Sequence, residues 1–191
     1  NGSNIIISEK VKEKIENNVL YLNNKNPRKL LAEFSSKLNY QRPSNLVAVT
    51  GTNGKSSIAN FYYQILKINK IKVSSIGTLG TEGIKIKKTI SNTTYDPIML
   101  NNILKILKKK KIDNVILEAS SHGLKQHRLD GLQFNLGIFT NLSRDHLDYH
   151  KTYKDYFESK LILFRKLMKE NSNIIFDEDL IIAKKIKKII K

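Results

Sequence analysis

The chain has 191 residues, 40% of them hydrophobic, with a formal net charge of +17 and no cysteine. It is long enough for one good-sized domain plus a small appendage, and no apolar run reaches the length of a membrane span. The lack of cysteine excludes disulfides, thiol catalysis and thiolate metal sites. Because no N-terminal signal sequence is visible either, we expect a cytoplasmic protein.

The large positive charge raises the question of a nucleic-acid partner. Much of the excess lies in two lysine-rich runs, 108–111 and 184–191, on what we predict to be solvated helix faces and ends. These runs contain no aromatic residues on which bases could stack. We therefore expect neither a nucleic-acid nor a membrane partner. A basic nucleic-acid-binding module remains the alternative, and a salt titration of DNA binding would test it.

Residues 1–44 are predicted to form only an appendage, too short for a core of its own. Within it, residues 11–22 mix apolar side chains at helical spacing with charges, which favours a helix. Pro27 then starts a second helix. Residues 41–44 connect this appendage to the main domain, which we assign to residues 45–191.

The main domain alternates predicted strands and helices, which indicates an α/β fold with a mainly parallel sheet flanked by helices. We expect loops at 120–123 and 141–148. The predicted strands are 46–49, 72–76, 115–117, 134–139 and 173–176, with an edge strand or hairpin that includes Ile84, Ile86 and Ile90. The predicted helices are 58–68, 97–110, 153–169 and 179–191.

The stretch 50–57, Thr-Gly-Thr-Asn-Gly-Lys-Ser-Ser, lies between a predicted strand and a predicted helix. Strand, Gly-rich turn and helix in this order are typical of a phosphate-binding loop, with a lysine for the phosphates and a serine for magnesium. Val49 stands where the general motif has its first glycine. The pattern favours nucleoside triphosphate binding, and the alternative is an ordinary Gly-Asn-Gly turn with an exposed lysine.

Several polar side chains follow other predicted strands of the sheet. Glu118 ends one strand, Thr93 and Thr94 lie in a connection, and His146 lies in a polar loop. In open parallel sheets, ligand-binding groups gather at the carboxyl ends of the strands. Glu118 and His146 would suit a divalent ion held together with Ser56 and phosphate oxygens. For a single glutamate after a strand, a helix cap or a surface ion pair is the alternative.

Lys160 is the least expected residue of the predicted helix 153–169. It falls within the apolar stripe that we assign to Tyr153, Phe157, Leu161 and Phe164, with Tyr156 beside it. A lysine there commonly buries its stem and keeps its ammonium in water. The alternative is a buried amine with a lowered pKa, whose neutral form could take up carbon dioxide and become an anionic carbamate ligand for a metal.

Three stretches in this order resemble motifs of the Mur ligases, which are related to the folylpolyglutamate synthetases. They are the loop 50–57, the stretch 118–128 (EASSHGLKQHR) and the stretch 140–150 (TNLSRDHLDYH). The last two resemble the branch of the family that adds the third residue of the peptidoglycan stem peptide. Another amide ligase of the superfamily is one alternative, and a P-loop switch protein is another.

The resemblance implies an enzyme that uses ATP and Mg²⁺ to join a diamino acid to UDP-MurNAc-L-Ala-D-Glu through an acyl phosphate. The oligomeric state stays open, with a monomer as our expectation. Carried over by position, the ATP-binding residues are Gly51, Thr52, Asn53, Gly54, Lys55, Ser56 and Ser57. The implied substrate-binding residues are Asn92, Thr93, Thr94, Ser120, Gln126 and Arg128. The implied metal ligands are Ser56, Glu118, His146 and Lys160 as a carbamate, and catalytic roles fall to Lys55, His146 and Lys160.

Two departures from the family pattern concern single residues: Tyr95 follows the threonine pair where proline or glycine is common, and Ser57 replaces a common threonine. The larger departure is length. By this resemblance, residues 1–44 are the last part of an N-terminal uridine-binding domain and residues 45–191 are an incomplete central domain. No C-terminal domain follows, so we expect the fragment to lack ligase activity by itself.

Overall fold

The central sheet of the computed structural model has six strands in the order β6-β5-β7-β4-β8-β9. All neighbours are parallel except β6, which runs antiparallel to β5 at the edge. The strands are β4 (Asn45–Thr50), β5 (Val73–Gly77), β6 (Gly80–Glu82), β7 (Asn114–Glu118), β8 (Phe134–Phe139) and β9 (Met168–Phe176). The prediction of a mainly parallel α/β sheet is confirmed.

The helices are α1 (Pro27–Leu38), α2 (Lys55–Ile68), α3 (Pro97–Lys109), α4 (Ser121–Lys125), α5 (Leu147–His150), α6 (Tyr153–Lys166) and α7 (Ala183–Lys187). The structure describes residues 2–85, 92–180 and 182–188. In this part of the chain, no helix is long and apolar enough to cross a membrane.

The two faces of the sheet are covered unequally. The larger core lies on the face covered by α3 and α6, where Leu104 and Leu161 are fully buried. A smaller cluster on the other face joins Val47, Val49 and Ile116 to α2. Strands buried on both faces need apolar residues at nearly every position, and β4 and β7 satisfy this requirement. These strands are therefore a rigid base for the loops that follow them.

The register of the central strands brings distant parts of the sequence together. Val49 of β4 pairs with Glu118 of β7, and Thr50 pairs with Phe139 of β8. The loop after β4 therefore starts beside the carboxylate at the end of β7 and beside the segment that follows β8. The same edge collects the side chains that the sequence predicts to be functional.

The helix predicted for residues 11–22 is wrong. Two strands, β2 (Lys14–Glu16) and β3 (Val19–Asn23), form a hairpin there, and β1 (Ile5–Ser8) pairs with the other side of β3. Asn17 and Asn18 occupy the two-residue turn with φ of 49° and 61°. Positive φ at both positions defines the hairpin turn that suits twisted strands, and asparagine tolerates it. The turn preference of Asn17 and Asn18 therefore outweighs the helical spacing of the apolar residues in 11–22.

Several predicted boundaries also change. Residues 121–125 form the short helix α4 in the predicted loop 120–123, since the Ser120 hydroxyl accepts a hydrogen bond from the Gly123 amide and caps it. Helix α6 ends at Lys166, not at 169, because β9 begins at Met168 and pairs with β8. The final helix covers only Ala183–Lys187, and Ile86 and Ile90 of the predicted edge strand lie outside the described residues.

Candidate functional site

The loop between β4 and α2 depends on two glycines for its shape. Gly51 has a φ of 144°, and a Cβ there would lie 1.9 Å from the Thr140 hydroxyl. Gly54 has a φ of 81° and is the N-cap of α2, with open space around it. Glycine adopts these conformations at little cost. The loop therefore ends with the free amides of a helix start directed out of the sheet edge, as anion binding requires.

The segment after β8 braces this loop. The Thr52 amide donates to the Asn141 carbonyl at 3.0 Å, and the Asn53 amide donates to the Asn141 side chain at 2.9 Å. The Thr140 hydroxyl donates to the Asn53 carbonyl at 2.6 Å. The sequence analysis did not assign Thr140 and Asn141 to the site. Their position at the end of a predicted strand was the feature that could have indicated it.

Lys55 folds back over its own loop. Its Nζ donates to the carbonyl of Gly51 at 3.0 Å and to that of Thr52 at 2.7 Å. Burial lowers the pKa of Lys55, and the charges of Glu118 and Asp145 oppose this shift. An incoming phosphate would offer the ammonium stronger acceptors than these neutral carbonyls.

Glu118 is the central acceptor of the site, and only 3% of its surface is exposed. It accepts a hydrogen bond from the Ser56 hydroxyl at 3.0 Å, and from the amide and hydroxyl of Thr78 at 3.0 and 3.1 Å. The sequence did not single out Thr78. In the described part of the chain, Glu118 forms no salt bridge within 4.0 Å. A buried carboxylate with neutral donors and a serine hydroxyl fits a Mg²⁺ ligand set that phosphate oxygens complete.

The threonine pair joins Glu118 from the other side. The hydroxyls of Thr78 and Thr93 lie 3.0 Å apart, within hydrogen-bond distance, and the Thr94 hydroxyl donates to the Glu118 carbonyl at 2.9 Å. Thr94 also accepts from the Ser120 amide at 3.0 Å. Its neighbour Tyr95 is a buried core residue. Tyr95, which differs from the proline or glycine common in the family, therefore anchors the segment that carries the two threonines.

Arg128 extends this network. Its Nη1 donates to the Thr94 carbonyl at 2.6 Å, while its Nε and Nη2 donate to the Gln126 side chain at 3.0 and 2.6 Å. Gln126 in turn donates to the Tyr149 hydroxyl at 3.2 Å. Four of the six predicted substrate residues, Thr94, Ser120, Gln126 and Arg128, thus belong to one connected group, which Thr93 joins through Thr78. Asn92 is exposed just before the pair.

Lys160 does not reach the water, so the snorkelling interpretation is wrong. Only 1% of its surface is exposed, and its Nζ donates to the Gly51 carbonyl at 2.7 Å above the Tyr156 ring. Burial, together with the nearby charge of Lys55, lowers its pKa to about 7, and the charge of Asp145 opposes this shift. Tyr156 faces inward, whereas Tyr153, which we assigned to the apolar stripe, is 41% exposed.

His146 lies apart from the Ser56–Glu118 contact. Its amide donates to the Asp145 carboxylate at 2.8 Å, and its ring packs against those of His122 and Tyr156 with centroid distances of 4.9 and 6.2 Å. The described residues contain no group of three or more His, Asp or Glu side chains that could hold a metal ion by themselves. The structure joins Ser56 to Glu118 and Lys160 to Gly51, and it leaves His146 half-exposed nearby.

Comparison with known proteins gives a consistent result. The model of the Mur ligase middle domain matches residues 49–191. A UDP-N-acetylmuramoyl-L-alanyl-D-glutamate–2,6-diaminopimelate ligase of Chelativorans sp. (strain BNC1) is 42% identical over 154 residues, which are 80% of this chain and 32% of that protein. The ligase of the same name from Wigglesworthia glossinidia brevipalpis is 39% identical over an alignment of 199 positions, which covers 99% of this chain and 40% of that protein.

Solved structures agree with these relatives. A structure of a UDP-N-acetylmuramoyl-L-alanyl-D-glutamate–2,6-diaminopimelate ligase superposes with a TM-score of 0.79 at 32% identity, and the match covers 96% of this chain and 37% of that one. A MurF ligase from Thermotoga maritima, solved with ADP, shares the fold with a TM-score of 0.62 at 21% identity over 99% of this chain and 40% of that one. Because the family model covers well over half of its residues, the chain belongs to the Mur ligase family, and its residues 49–191 match the middle domain.

Proposed function

We propose that the protein containing this chain is an ATP-dependent ligase that adds a diamino acid to UDP-MurNAc-L-Ala-D-Glu. The chain spans 32–40% of the length of the curated relatives cited above, so the complete reaction belongs to the longer protein. The observation that carries the proposal is the position of Glu118, whose carboxylate bonds both Ser56 of the phosphate loop and Thr78, which bonds Thr93. One buried carboxylate thereby links a nucleotide side to a substrate side.

On the nucleotide side, residues 51–57 bind the ATP phosphates through backbone amides and Lys55, with Ser57 exposed at the start of α2. Ser56 and Glu118 hold Mg²⁺ together with phosphate oxygens. The ion supplies charge neutralisation when the substrate carboxylate attacks the γ-phosphate. Lys55 leaves the carbonyls of Gly51 and Thr52 and adds its charge at the same oxygens, which favours the transition state.

On the substrate side, Asn92, Thr93, Thr94, Ser120, Gln126 and Arg128 bind the UDP-linked dipeptide. Arg128 supports this role because its guanidinium carries a positive charge, and its hydrogen bonds within the described residues go to the neutral oxygens of Thr94 and Gln126. A carboxylate of the dipeptide would be a stronger acceptor for it. The glutamate side chain would then lie near the nucleotide side, where phosphorylation activates it for attack by the amine.

Lys160 and His146 complete the proposed machinery. A buried amine with a pKa of about 7 is neutral in about half of the molecules at neutral pH, and the neutral form can form a carbamate. As a carbamate, Lys160 would contribute an anionic oxygen ligand behind the loop, and His146 would turn its half-exposed ring toward the same ion.

We further propose that residues 1–44, with the separate sheet β1–β3, are the end of a preceding uridine-binding domain.

The proposal is tested by phosphate release from the full-length protein with ATP, Mg²⁺, UDP-MurNAc-L-Ala-D-Glu and either diaminopimelate or lysine. We expect release that requires the dipeptide substrate and one of the two diamino acids. Lys55→Met removes the ammonium proposed for the ATP phosphates, so this variant is the control that should lose phosphate release. Release with neither amino acid, from folded protein that binds ATP, would contradict the proposal.

The 191-residue chain offers a second test. We expect it to bind Mg²⁺-ATP weakly and to show no ligase activity. Isothermal titration calorimetry measures the binding, with ADP and with ATP lacking metal as comparisons. Lys160 is tested in the full-length protein by Lys160→Ala, to which a short carboxylic acid should restore part of the activity by replacing the carbamate. Rescue by no such acid would contradict the ligand role.

A further inference from the structure

His150, the last residue of α5, is the most buried histidine of the described chain and no step above uses it. Its side chain has no exposed surface. Nε2 lies 3.0 Å from the hydroxyl of Ser121, and Nδ1 lies 3.4 Å from that of Ser159 and 3.6 Å from the Asp155 carboxylate. A buried imidazole with partners on both nitrogens is held in one orientation.

The hydrogen bonds around His150 determine its tautomer. The Ser159 hydroxyl donates its proton to the Asp155 carbonyl at 2.7 Å, so toward His150 it acts as an acceptor. Nδ1, which faces Ser159 and the Asp155 carboxylate, must then carry the proton. Nε2 is left as an acceptor, and the Ser121 hydroxyl donates to it.

The charge state of His150 agrees with this arrangement. Burial is the main cause that lowers its pKa to about 4, and the charges of His122, Lys125 and Lys160 contribute to this shift. The facing Asp155 carboxylate opposes it. His150 is therefore a neutral bridge at physiological pH, with one donor and one acceptor.

Each serine that contacts His150 is a direct neighbour of a proposed site residue. Ser121 follows Ser120, the cap of α4, and α4 leads to Gln126. Ser159 precedes Lys160 on α6. The residue before His150, Tyr149, accepts a hydrogen bond from Gln126. The segment α5 thus touches the substrate side through α4 and the nucleotide side through α6.

We propose that His150 is a positioning residue that sets the distance between the substrate-binding helix α4 and the Lys160 helix α6. This inference rests on the proposed function, because it assigns α4 and α6 to the two reactants. His150 touches neither reactant. It acts through Ser121 and Ser159, which keep the dipeptide carboxylate in line with the nucleotide. Misplacement by about 1 Å costs a reaction of this kind up to about 100-fold in rate.

The kinetic test uses the full-length protein with His150→Gln, which keeps a polar group but cannot bond both serines in one geometry. We expect the KM for the UDP-linked dipeptide to rise about tenfold and kcat to fall, while the KM for ATP changes by less than about twofold. Ser121→Ala should give the same split, and the double variant should be no worse than His150→Gln because both remove one bridge.

Ser36→Ala is the matched control for a lost buried serine hydrogen bond, since Ser36 donates to the Gly131 carbonyl at 2.6 Å, outside the site. We expect Ser36→Ala to lower the free energy of unfolding without changing the KM for the UDP-linked dipeptide relative to the KM for ATP. Equal changes in both KM values for folded His150→Gln, or no change, would overturn the proposal. If the wild-type protein has no activity, the proposed function fails. A measurement on the 191-residue chain then tests independently whether His150 connects α4 and α6.

That measurement is ¹⁵N NMR of the 191-residue chain. Long-range spectra should show His150 protonated at Nδ1 and unprotonated at Nε2 from neutral pH down to about pH 5. Ser121→Ala should shift the backbone amides of both 126–128 and 159–160, and Ser36→Ala should shift neither. Protonation at Nε2, or shifts confined to α4, would overturn the bridge.

Discussion

The two sides of the candidate site are shaped by different parts of the chain: one by its backbone and the other by its side chains. The nucleotide side, residues 51–57, takes its shape from consecutive backbone: two glycines with positive φ and a helix start. The substrate side takes its shape from side chains of separate segments, with Thr78, Thr94 and Arg128 connected through hydrogen bonds. Glu118 is bonded to both.

This difference has a practical consequence for stability and for binding. Loop geometry of the nucleotide side is fixed by local conformational preferences, so a single added Cβ can disturb it. The substrate side depends on donors and acceptors that satisfy each other across β5, β7 and α4, so removal of one group leaves another unpaired. We therefore expect backbone substitutions to be most severe on the first side and side-chain truncations on the second.

The largest effect is expected for Gly51→Ala. The added Cβ would lie 1.9 Å from the Thr140 hydroxyl and 3.1 Å from the Asn141 amide, at a φ of 144° that alanine rarely adopts. Overpacking and backbone strain together should lower the free energy of unfolding by about 3–4 kcal/mol. Gly54→Ala is the matched control, because it meets no atom within 4 Å and should cost only about 1 kcal/mol. Urea unfolding measures both, and equal losses would contradict the role of Thr140.

Glu118→Ala tests the residue that joins the two sides. The Ser56 hydroxyl and the amide and hydroxyl of Thr78 would lose their bonds to a buried carboxylate, which should lower the free energy of unfolding by about 2 kcal/mol. Glu118→Gln keeps an acceptor for Thr78 and should cost less than about 1 kcal/mol. Urea unfolding measures both losses.

The same pair separates stability from metal binding. We expect both variants to lose the gain in ATP affinity that Mg²⁺ gives the wild-type chain, since an amide is a much poorer ligand than a carboxylate. Titration calorimetry with and without Mg²⁺ measures that gain. An undiminished gain in Glu118→Gln would show that the carboxylate does not bind the ion.

The sequence predicted the secondary structure around residues 51–57 well because its information is local. The strand before Gly51, the helix after Gly54 and the helix capped by Asp96 follow from apolar spacing and from glycine, aspartate and proline chemistry, and all three are present. The hairpin at Asn17 was missed because apolar spacing over residues 11–22 gave a helical signal, while the two turn residues determined the structure.

The substrate side could be predicted only in part. The resemblance supplied Thr94 and Arg128, but their mutual hydrogen bond joins residues 34 positions apart and leaves no local pattern. Thr78 is a common residue after a strand, and only the register between β5 and β7 brings it to Glu118. The burial of Lys160 likewise follows from the packing of α6 against the loop, which no helical periodicity could decide.

Lys160 provides a pH-dependent comparison on the nucleotide side. Its pKa falls from 10.5 to about 7 in the folded chain, so the unfolded chain binds more protons between these values. The free energy of unfolding should therefore rise with pH from 7 to 10.5, with a contribution from Lys160 of up to about 1.4 kcal/mol per unit. Lys160→Met should remove this contribution.

Lys166→Met, on the exposed part of the same helix, is the matched control and should keep the wild-type slope. Urea unfolding at several pH values in buffers free of carbon dioxide measures the difference between the slopes. The same slope in Lys160→Met and in the wild-type chain would show that the Lys160 ammonium is not destabilised by burial.

The smallest effect is expected for Lys125→Met, which removes the second connection between α4 and α6 and leaves the Asp155 carboxylate beside His150. Lys125 and Asp155 are 2.5 Å apart, but each side chain is 36% exposed. Water and salt screen such a pair, so the loss should be below about 1 kcal/mol and should shrink further at high ionic strength. Ser121→Ala breaks the buried connection through His150, and its cost should not depend on salt. Urea unfolding of both variants at low and high ionic strength measures the contrast; an equal salt dependence would contradict the view that the buried bridge, and not the surface ion pair, holds the two helices.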